Sequence, residues 1–332
     1  MKSAKPKKHF RQRVMEMNKL LISRRASLSR NFSDLPFPHK MDKEQRETGL
    51  ARVSLALYSG REVFKQLYKG DSIDTFGAGF FASAMEDILS KEHVNLFENS
   101  TGNVFVVAGD EDCVKVQSVF EGEQDKAINT IDNIANHIFK AYSPAFDPQF
   151  GYLTARPALA GTGIELSALI HLPVTSLLRQ VSSAKKTLKE ETGCLLSPIS
   201  KGRNPSCLYE VKCMGEGADS MKESLDNALN KLYTQESLLA KRVLSNPRSS
   251  LHDKIHRAYG ILRHARRITM EEFLSLWSLL RLGAENGAID ISIEKVDSLL
   301  KPSSRVHERL RNNSNERNYI RADEIRRLLK EE

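Results

Sequence analysis

The sequence predicts an α+β protein with a helical final third, and three patterns carry that expectation. Ile164, Leu166, Ala168, Ile170 and Leu172 alternate with Glu165, Ser167, Leu169 and His171, the period of a strand with one buried face. Residues 103–109 and 113–117 read as two more strands around the acidic turn Asp110-Glu111-Asp112. From residue 219 onward the patterns are helical. A long polar segment covers 219–245, and Thr269 with Glu272 forms a capping box for a helix whose Phe273, Trp277 and Leu280 face a core.

With 332 residues, 40% of them hydrophobic, the chain is long enough for one large domain and a smaller one. Its net charge of +8 is uneven. Residues 1–30 hold ten Lys and Arg against the single acid Glu16, so the remainder is near neutral. Residues 1–19 therefore form a basic arm, which reads as a solvated, mobile terminus or as a non-specific contact for phosphate backbones or an acidic partner. No run of about 18 apolar residues and no apolar segment behind the basic start indicate a membrane span or secretory signal, so a cytoplasmic location is expected. Cys113, Cys194, Cys207 and Cys213 lack CxxC spacing. That excludes an evident zinc site and leaves four reduced thiols.

Taken in order, residues 41–70 read as an amphipathic helix starting near Asp42, and residues 80–98 as a second one, with His93 a surface or capping histidine. Residues 124–143 form a helix with Ile128, Ile131, Ile134, Ala135 and Ile138 on its core face. The central stretch 150–173 is FGYLTARPALAGTGIELSALIHLP. Phe150, Tyr152 and Leu153 have strand character before Pro157, and Gly161-Thr162-Gly163 frees the backbone and offers N–H groups to an anion. Spacing alone makes that pair of glycines a plain turn. A helix over 174–192, a short strand at 194–196, the loop Lys201 to Pro205 and a strand at 208–211 follow, with a domain boundary at Asn246-Pro247. His252 and His256 stand one helical turn apart; lacking further ligands they read as a surface face, and no metal site is expected.

The strings GYLT, Pro157, GTG and HLP resemble the signature of the ATP:guanidino phosphotransferases, and most closely their bacterial protein-arginine kinase branch. The opening segment with Arg30-Asn31 and Leu35-Pro36-Phe37-Pro38 fits that family. So does DKIHRAYGILRHARRITMEEFLSLWSLLRLGAENGAI over 253–289, which resembles the branch's helical domain. The resemblance covers roughly residues 20–329. It implies a mainly antiparallel sheet flanked by helices over 20–246 and a small all-helical, phosphoarginine-binding-like domain over 250–332.

It also implies roles. Glu111 takes the catalytic-base position, with Asp112 beside it; Arg25, Lys115 and Arg203 take phosphate-binding positions, and Gly161, Thr162 and Gly163 hold backbone donors near the nucleotide. The cofactors implied are ATP and Mg2+. On the last helix Arg317, Asn318 and Arg321 match a phosphoarginine pocket, although a basic surface helix explains the same residues. The partners implied are proteins bearing arginine or phosphoarginine, a Clp-type protease regulator and a second copy of the chain; nucleic acid is the weaker alternative and a membrane is not expected.

The scaffold fits this family better than the chemistry does. Ser27 replaces one phosphate arginine, Lys115 another, Cys113 the histidine of the acidic motif and Asn318 an acid. Arg156 stands at the reactive cysteine's position, and Glu165 where an arginine grips phosphate. Lys115 keeps the charge but not the planar fork of a guanidinium. Arg156 and Glu165 flank one loop and are expected to pair. Two readings follow: a protein-arginine kinase with impaired activity, or a pseudokinase that binds phosphoarginine or serves as a protease adaptor.

Overall fold

The computed structural model describes residues 20–60, 62–69, 72–73, 93–120, 124–199, 205–215, 217–246, 248–300 and 314–330. The basic arm, most of the helix expected over 80–98 and Arg203 lie outside them. Among the described residues eleven strands form: β1 (Leu21–Arg30), β2 (Phe64–Lys69), β3 (Ser72–Ile73), β4 (Asn95–Asn99), β5 (Val104–Ala108), β6 (Val114–Phe120), β7 (Phe146–Asp147), β8 (Gly151–Tyr152), β9 (Ile164–His171), β10 (Leu195–Pro198) and β11 (Leu208–Met214). Nine make one sheet in the order β10-β11-β9-β1-β6-β5-β4-β2-β3, and β7 pairs only with β8. The registers of β1 with β6, β6 with β5, β5 with β4 and β4 with β2 are all antiparallel. The fold is the antiparallel sheet with flanking helices that the sequence resemblance implies.

Helices α1 (Lys43–Ser59) and α2 (Gln124–Ile138) belong to the first part of the chain, and α3 (Pro173–Leu177) and α4 (Val181–Thr192) follow β9. Then come α5 (Ala218–Leu244), α6 (Ser250–His264), α7 (Met270–Glu285), α8 (Ile293–Ser298) and α9 (Ser314–Lys330). Asp42 caps α1 through a full capping box with Gln45, which satisfies N–H groups the first turn leaves open. Thr269 caps α7 by accepting from Glu272 N, as its spacing predicts. On α7 Phe273, Trp277 and Leu280 are buried completely.

Four expectations need correction. The helix expected over 41–70 ends at Ser59, and Phe64–Lys69 is strand β2; Gly60 ends the helical run and strand pairing with β4 takes over. In the segment expected as the end of a helix at residue 98, Asn95–Asn99 is strand β4, paired on both sides, so tertiary pairing outweighs local helical pattern. The helix expected over 174–192 breaks into α3 and α4 around Arg179, whose φ is 56°. Strand β9 forms as expected but is covered on both faces, which leaves Glu165, Ser167 and His171 buried.

Two cysteines also depart from the reduced-thiol reading. Cys194 and Cys213 are disulfide-bonded, whereas Cys113 and Cys207 are free thiols. Sequence spacing says nothing about such a pair, because β10 and β11 become neighbours only in the sheet.

The chain divides into two compact units that are discontinuous in sequence. One consists of Ser23–Ser167 with Lys212–Glu223. The other collects Ala168–Val211, the chain from Ser224 onward and the first strand's start up to Ile22. Inside this second unit α6 packs on α7 and α9, and α7 packs on α3 and α8. Trp277 Nε1 donates to the Val296 carbonyl at 3.0 Å, and the Arg281 fork meets both Asp297 oxygens at 2.8 and 3.2 Å. No described helix is long and apolar enough to cross a membrane.

Candidate active site

The acidic turn between β5 and β6 is braced from beneath. Asp112 is buried, and its Oδ1 accepts from Asn31 Nδ2 and from the Ala155 N–H, each at 2.7 Å. Asn31 also accepts from Cys113 N at 2.7 Å and donates to the Leu153 carbonyl at 3.1 Å. The carboxylate of Asp112 is therefore a bracket. It ties the segment 153–156 to the turn, so that Arg156 arrives beside Glu111. Cys113, at the position the family gives to histidine, is buried, and burial pushes its thiol up to about 11. It stays protonated and inert at neutral pH.

Four side chains then form a line of alternating charge. Arg156 Nε lies 3.2 Å from Glu111 Oε2, a charge contact without hydrogen-bond alignment. Arg156 Nη1 donates to Glu165 Oε2 at 3.4 Å, and Lys212 Nζ lies 3.8 Å from Glu165 Oε1. The pairing expected from the sequence is present and extends at both ends. Glu165 is 3% exposed, Arg156 35% and Glu111 56%, so the line runs from solvent into the sheet. The four formal charges sum to zero. A buried carboxylate is stable only when compensated, and here two cations are used on Glu165.

The Gly-rich loop is tied inward. Gly161 N donates to the Tyr152 carbonyl at 3.1 Å, Gly163 N to the Leu159 carbonyl at 3.0 Å, and Ile164 N to Thr162 Oγ1 at 3.2 Å. Its geometry explains the glycines differently from the expected phosphate cradle. Gly163 has φ 66°, and a Cβ there would stand 2.4 Å from Arg30 Nη1 and 2.6 Å from the Ser29 carbonyl. Arg30 Nη1 donates to the Ser29 and Thr162 carbonyls at 2.9 and 2.8 Å, and its guanidinium stacks 3.5 Å above the Tyr152 ring. Burial lowers the Arg30 pKa, and Tyr152 acts in the opposite direction. The N–H groups of Gly161 and Gly163 that the sequence assigned to an anion are thus engaged in holding the loop.

The other expected site residues are spread out. Arg25, Ser27 and Ser29 share one face of β1, where Ser29 pairs with Lys115 and Arg25 with Val119 on β6. Four residues of strand, about 13 Å, separate the Arg25 and Lys115 levels. Arg25 is buried. On α9, Arg321 is buried and donates Nη1 to the Ile268 carbonyl and to Asn318 Oδ1, each at 2.8 Å. Burial, with Arg317 nearby, lowers its pKa to about 10, so it remains charged at neutral pH. Asn318 also accepts from Ile268 N through its backbone carbonyl, so these two residues pin α9 to the start of α7. Among the described residues no three His, Cys, Asp or Glu side chains group as ligands.

Sequence reading missed Lys212, and it met Arg30-Asn31 only as a match to the resembled opening segment, without their bracing roles. Nothing local pointed to Asn31 as the bracket or to the approach of Lys212 to Glu165.

Two family models match the chain. The one described as the ATP:guanido phosphotransferase C-terminal catalytic domain matches residues 38–194, and the one described as the protein-arginine kinase McsB C-terminal domain matches residues 248–332. A protein-arginine kinase of Clostridium kluyveri is 27% identical over 305 residues, covering 86% of each chain. One from Syntrophomonas wolfei is 29% identical over 81% of this chain and 79% of its own. Among solved structures, the duplicated taurocyamine kinase from Schistosoma mansoni with bound transition-state-analogue components aligns with TM-score 0.52 and 16% identity, over 73% of this chain and 37% of that longer one. A lombricine kinase aligns with TM-score 0.51 and 16% identity over 67% of each chain.

Proposed function

Because this chain belongs to the ATP:guanido phosphotransferase family, in its bacterial protein-arginine kinase branch, we propose that it is a kinase-like protein with impaired transfer of the ATP γ-phosphoryl group to protein arginine side chains. The observation that carries this reading is Glu165, buried and neutralised by Arg156 and Lys212. Phosphoryl transfer is catalysed mainly by positioning and by cations placed on the phosphoryl oxygens. A phosphate charge about 4 Å from a carboxylate is repelled by roughly 4 kcal/mol at an effective dielectric of 20, where an arginine would attract it by as much. The carboxylates at this centre suit a cation and oppose a triphosphate. Arg25 and Lys115 support residual nucleotide contact, and Glu111 keeps the position of the base that would orient a guanidinium.

At the limit of no turnover the chain is a pseudokinase. Its role then passes to recognising arginine- or phosphoarginine-bearing proteins, with Arg317 on α9 as the residue to test. The deciding experiment measures acid-labile phosphate formed from Mg-ATP on an arginine-rich protein, with Glu111→Gln as control. The expected outcome is little or no signal in the native chain and a gain of ATP binding in Arg156→Cys/Glu165→Arg. Robust turnover that disappears in the control would overturn the impaired reading.

A further inference from the structure

Helix α6 carries a charged face that nothing above uses. Residues 248–267 hold six Lys and Arg and three His against the single acid Asp253. Leu251, Ile255, Ala258 and Leu262 bury one side of the helix. Gly260 stands directly opposite that side, with Arg257 and His264 along one edge and His256 and Arg263 along the other, each within about 60° of it around the axis. All five are exposed. Asp253 reaches Arg257 only at 3.9 Å, between side chains that both stand in solvent, and Arg263 lies over the Tyr259 ring at 5.5 Å. Among the described residues no carboxylate pairs with Arg263, nor with Lys254 and Arg266 at the two ends of the face. The glycine at the centre has no packing reason. Glycine inside a helix weakens it relative to alanine, yet a Cβ at Gly260 would meet nothing within 4 Å. At Gly283 on α7, by contrast, a Cβ would stand 2.4 Å from Ile255. The backbone of α6 is therefore laid bare in the middle of a cationic surface.

We propose that this face of α6 docks double-stranded DNA by entering the major groove, with Arg257 and Arg263 on phosphates of opposite groove walls and Gly260 toward the base edges. The groove is about 12 Å wide and admits an α-helix, and α6 is about 22 Å long. Its cationic rows lie on opposite flanks, as the two phosphate walls do. Guanidinium forks suit phosphate oxygens, and the two histidines add N–H donors. A bare centre lets the helix sit deep but reads no base, so the binding is insensitive to sequence. Charge complementarity alone also suits an acidic protein, but protein interfaces turn on an aromatic or aliphatic anchor near their centre. Here the centre is a glycine, and the exposed Ile261 stands about 100° away around the helix. The inference goes beyond the kinase-like reading and does not depend on it.

The test follows the fluorescence anisotropy of a labelled, mixed-sequence DNA duplex of about 20 base pairs, titrated with the full chain at about 0.15 M salt. The native chain should bind with a Kd of about 1–100 μM. Arg257→Gln/Arg263→Gln should bind at least about tenfold more weakly, with the slope of log affinity against log salt reduced by about 2. Gly260→Leu keeps every charge, including that of residues 1–19, and places a good helix former in open space. Its melting temperature should match or exceed that of the native chain, while its affinity for the duplex falls at least about fivefold because the helix no longer fits the groove. An RNA duplex of the same sequence, whose major groove is closed to a helix, should not show that loss. No binding by the native chain, undiminished affinity in either variant, or an equal loss on the RNA duplex overturns the proposal. So does a loss seen with poly-glutamate and not with DNA, which marks the face as a site for an acidic protein. Should the double variant fail to fold, Gly260→Leu decides alone.

Discussion

Two arginines in this molecule each stand between two carboxylates, and they are held in opposite ways. Arg281 is completely buried, sets its planar fork on both oxygens of Asp297 at 2.8 and 3.2 Å and lies 3.8 Å from Glu285. Arg156 touches Glu111 and Glu165 by one contact each and is 35% exposed. The bidentate, water-excluded guanidinium is part of the framework that joins α7 to α8. The singly bonded, partly wet one is held more weakly, because solvent competes for its contacts and screens them.

The largest expected effect sharpens that contrast directly. Arg281→Ala removes a fully buried side chain and leaves Asp297, 27% exposed, without its bidentate partner, and should lower stability by about 2–3 kcal/mol, whereas Arg156→Ala should lose no more than about 1 kcal/mol because Lys212 still faces Glu165. Urea unfolding midpoints of the two variants check this, and equal losses would break the distinction. Next in size is Gly163→Ala. Its methyl group meets Arg30 and the Ser29 carbonyl at a left-handed φ, so a loss of about 2 kcal/mol is expected in the same measurement. No loss would mean that the loop is not clamped by Arg30 as described.

The smallest effect is a slope with pH. His171 is fully buried, with Nε2 2.8 Å from Ser278 Oγ and Nδ1 3.5 Å from Arg281 Nη1. Burial, and then the Arg281 charge, hold its pKa well below the ordinary 6.5. Below that value the unfolded chain takes up a proton that the folded chain refuses. The contribution of His171 is thus fully present above about pH 6.5 and declines as pH falls, by at most about 1.4 kcal/mol per pH unit. The difference in stability between the native chain and His171→Gln, followed from pH 7.5 to 5.5, should shrink accordingly. A pH-independent difference would mean that the imidazole in that pocket takes up its proton as readily as in the unfolded chain.

Much of the fold was legible beforehand because its signals are local. The hairpin around Asp110 to Asp112, the alternation of β9, the apolar face of α2 and the cap at Thr269 each lie within a dozen residues. Strand β4 was not legible, since Asn95–Asn99 becomes a strand only through partners on both sides. The candidate site was half legible. Glu111 stood out as a match to the resembled pattern and Arg156 and Glu165 as departures from it, but the bracket Asn31–Asp112 and the approach of Lys212 join residues far apart in the chain.

By itself the sequence determined the fold class, the family and the inverted charge at residue 165, because periodicity, capping and residue identity are properties of short stretches. Only the tertiary structure decided how that charge is answered. A carboxylate buried in a sheet must find cations, and which ones it finds depends on strands and loops that meet in space: Arg156 delivered by the Asp112 bracket, and Lys212 delivered by β11.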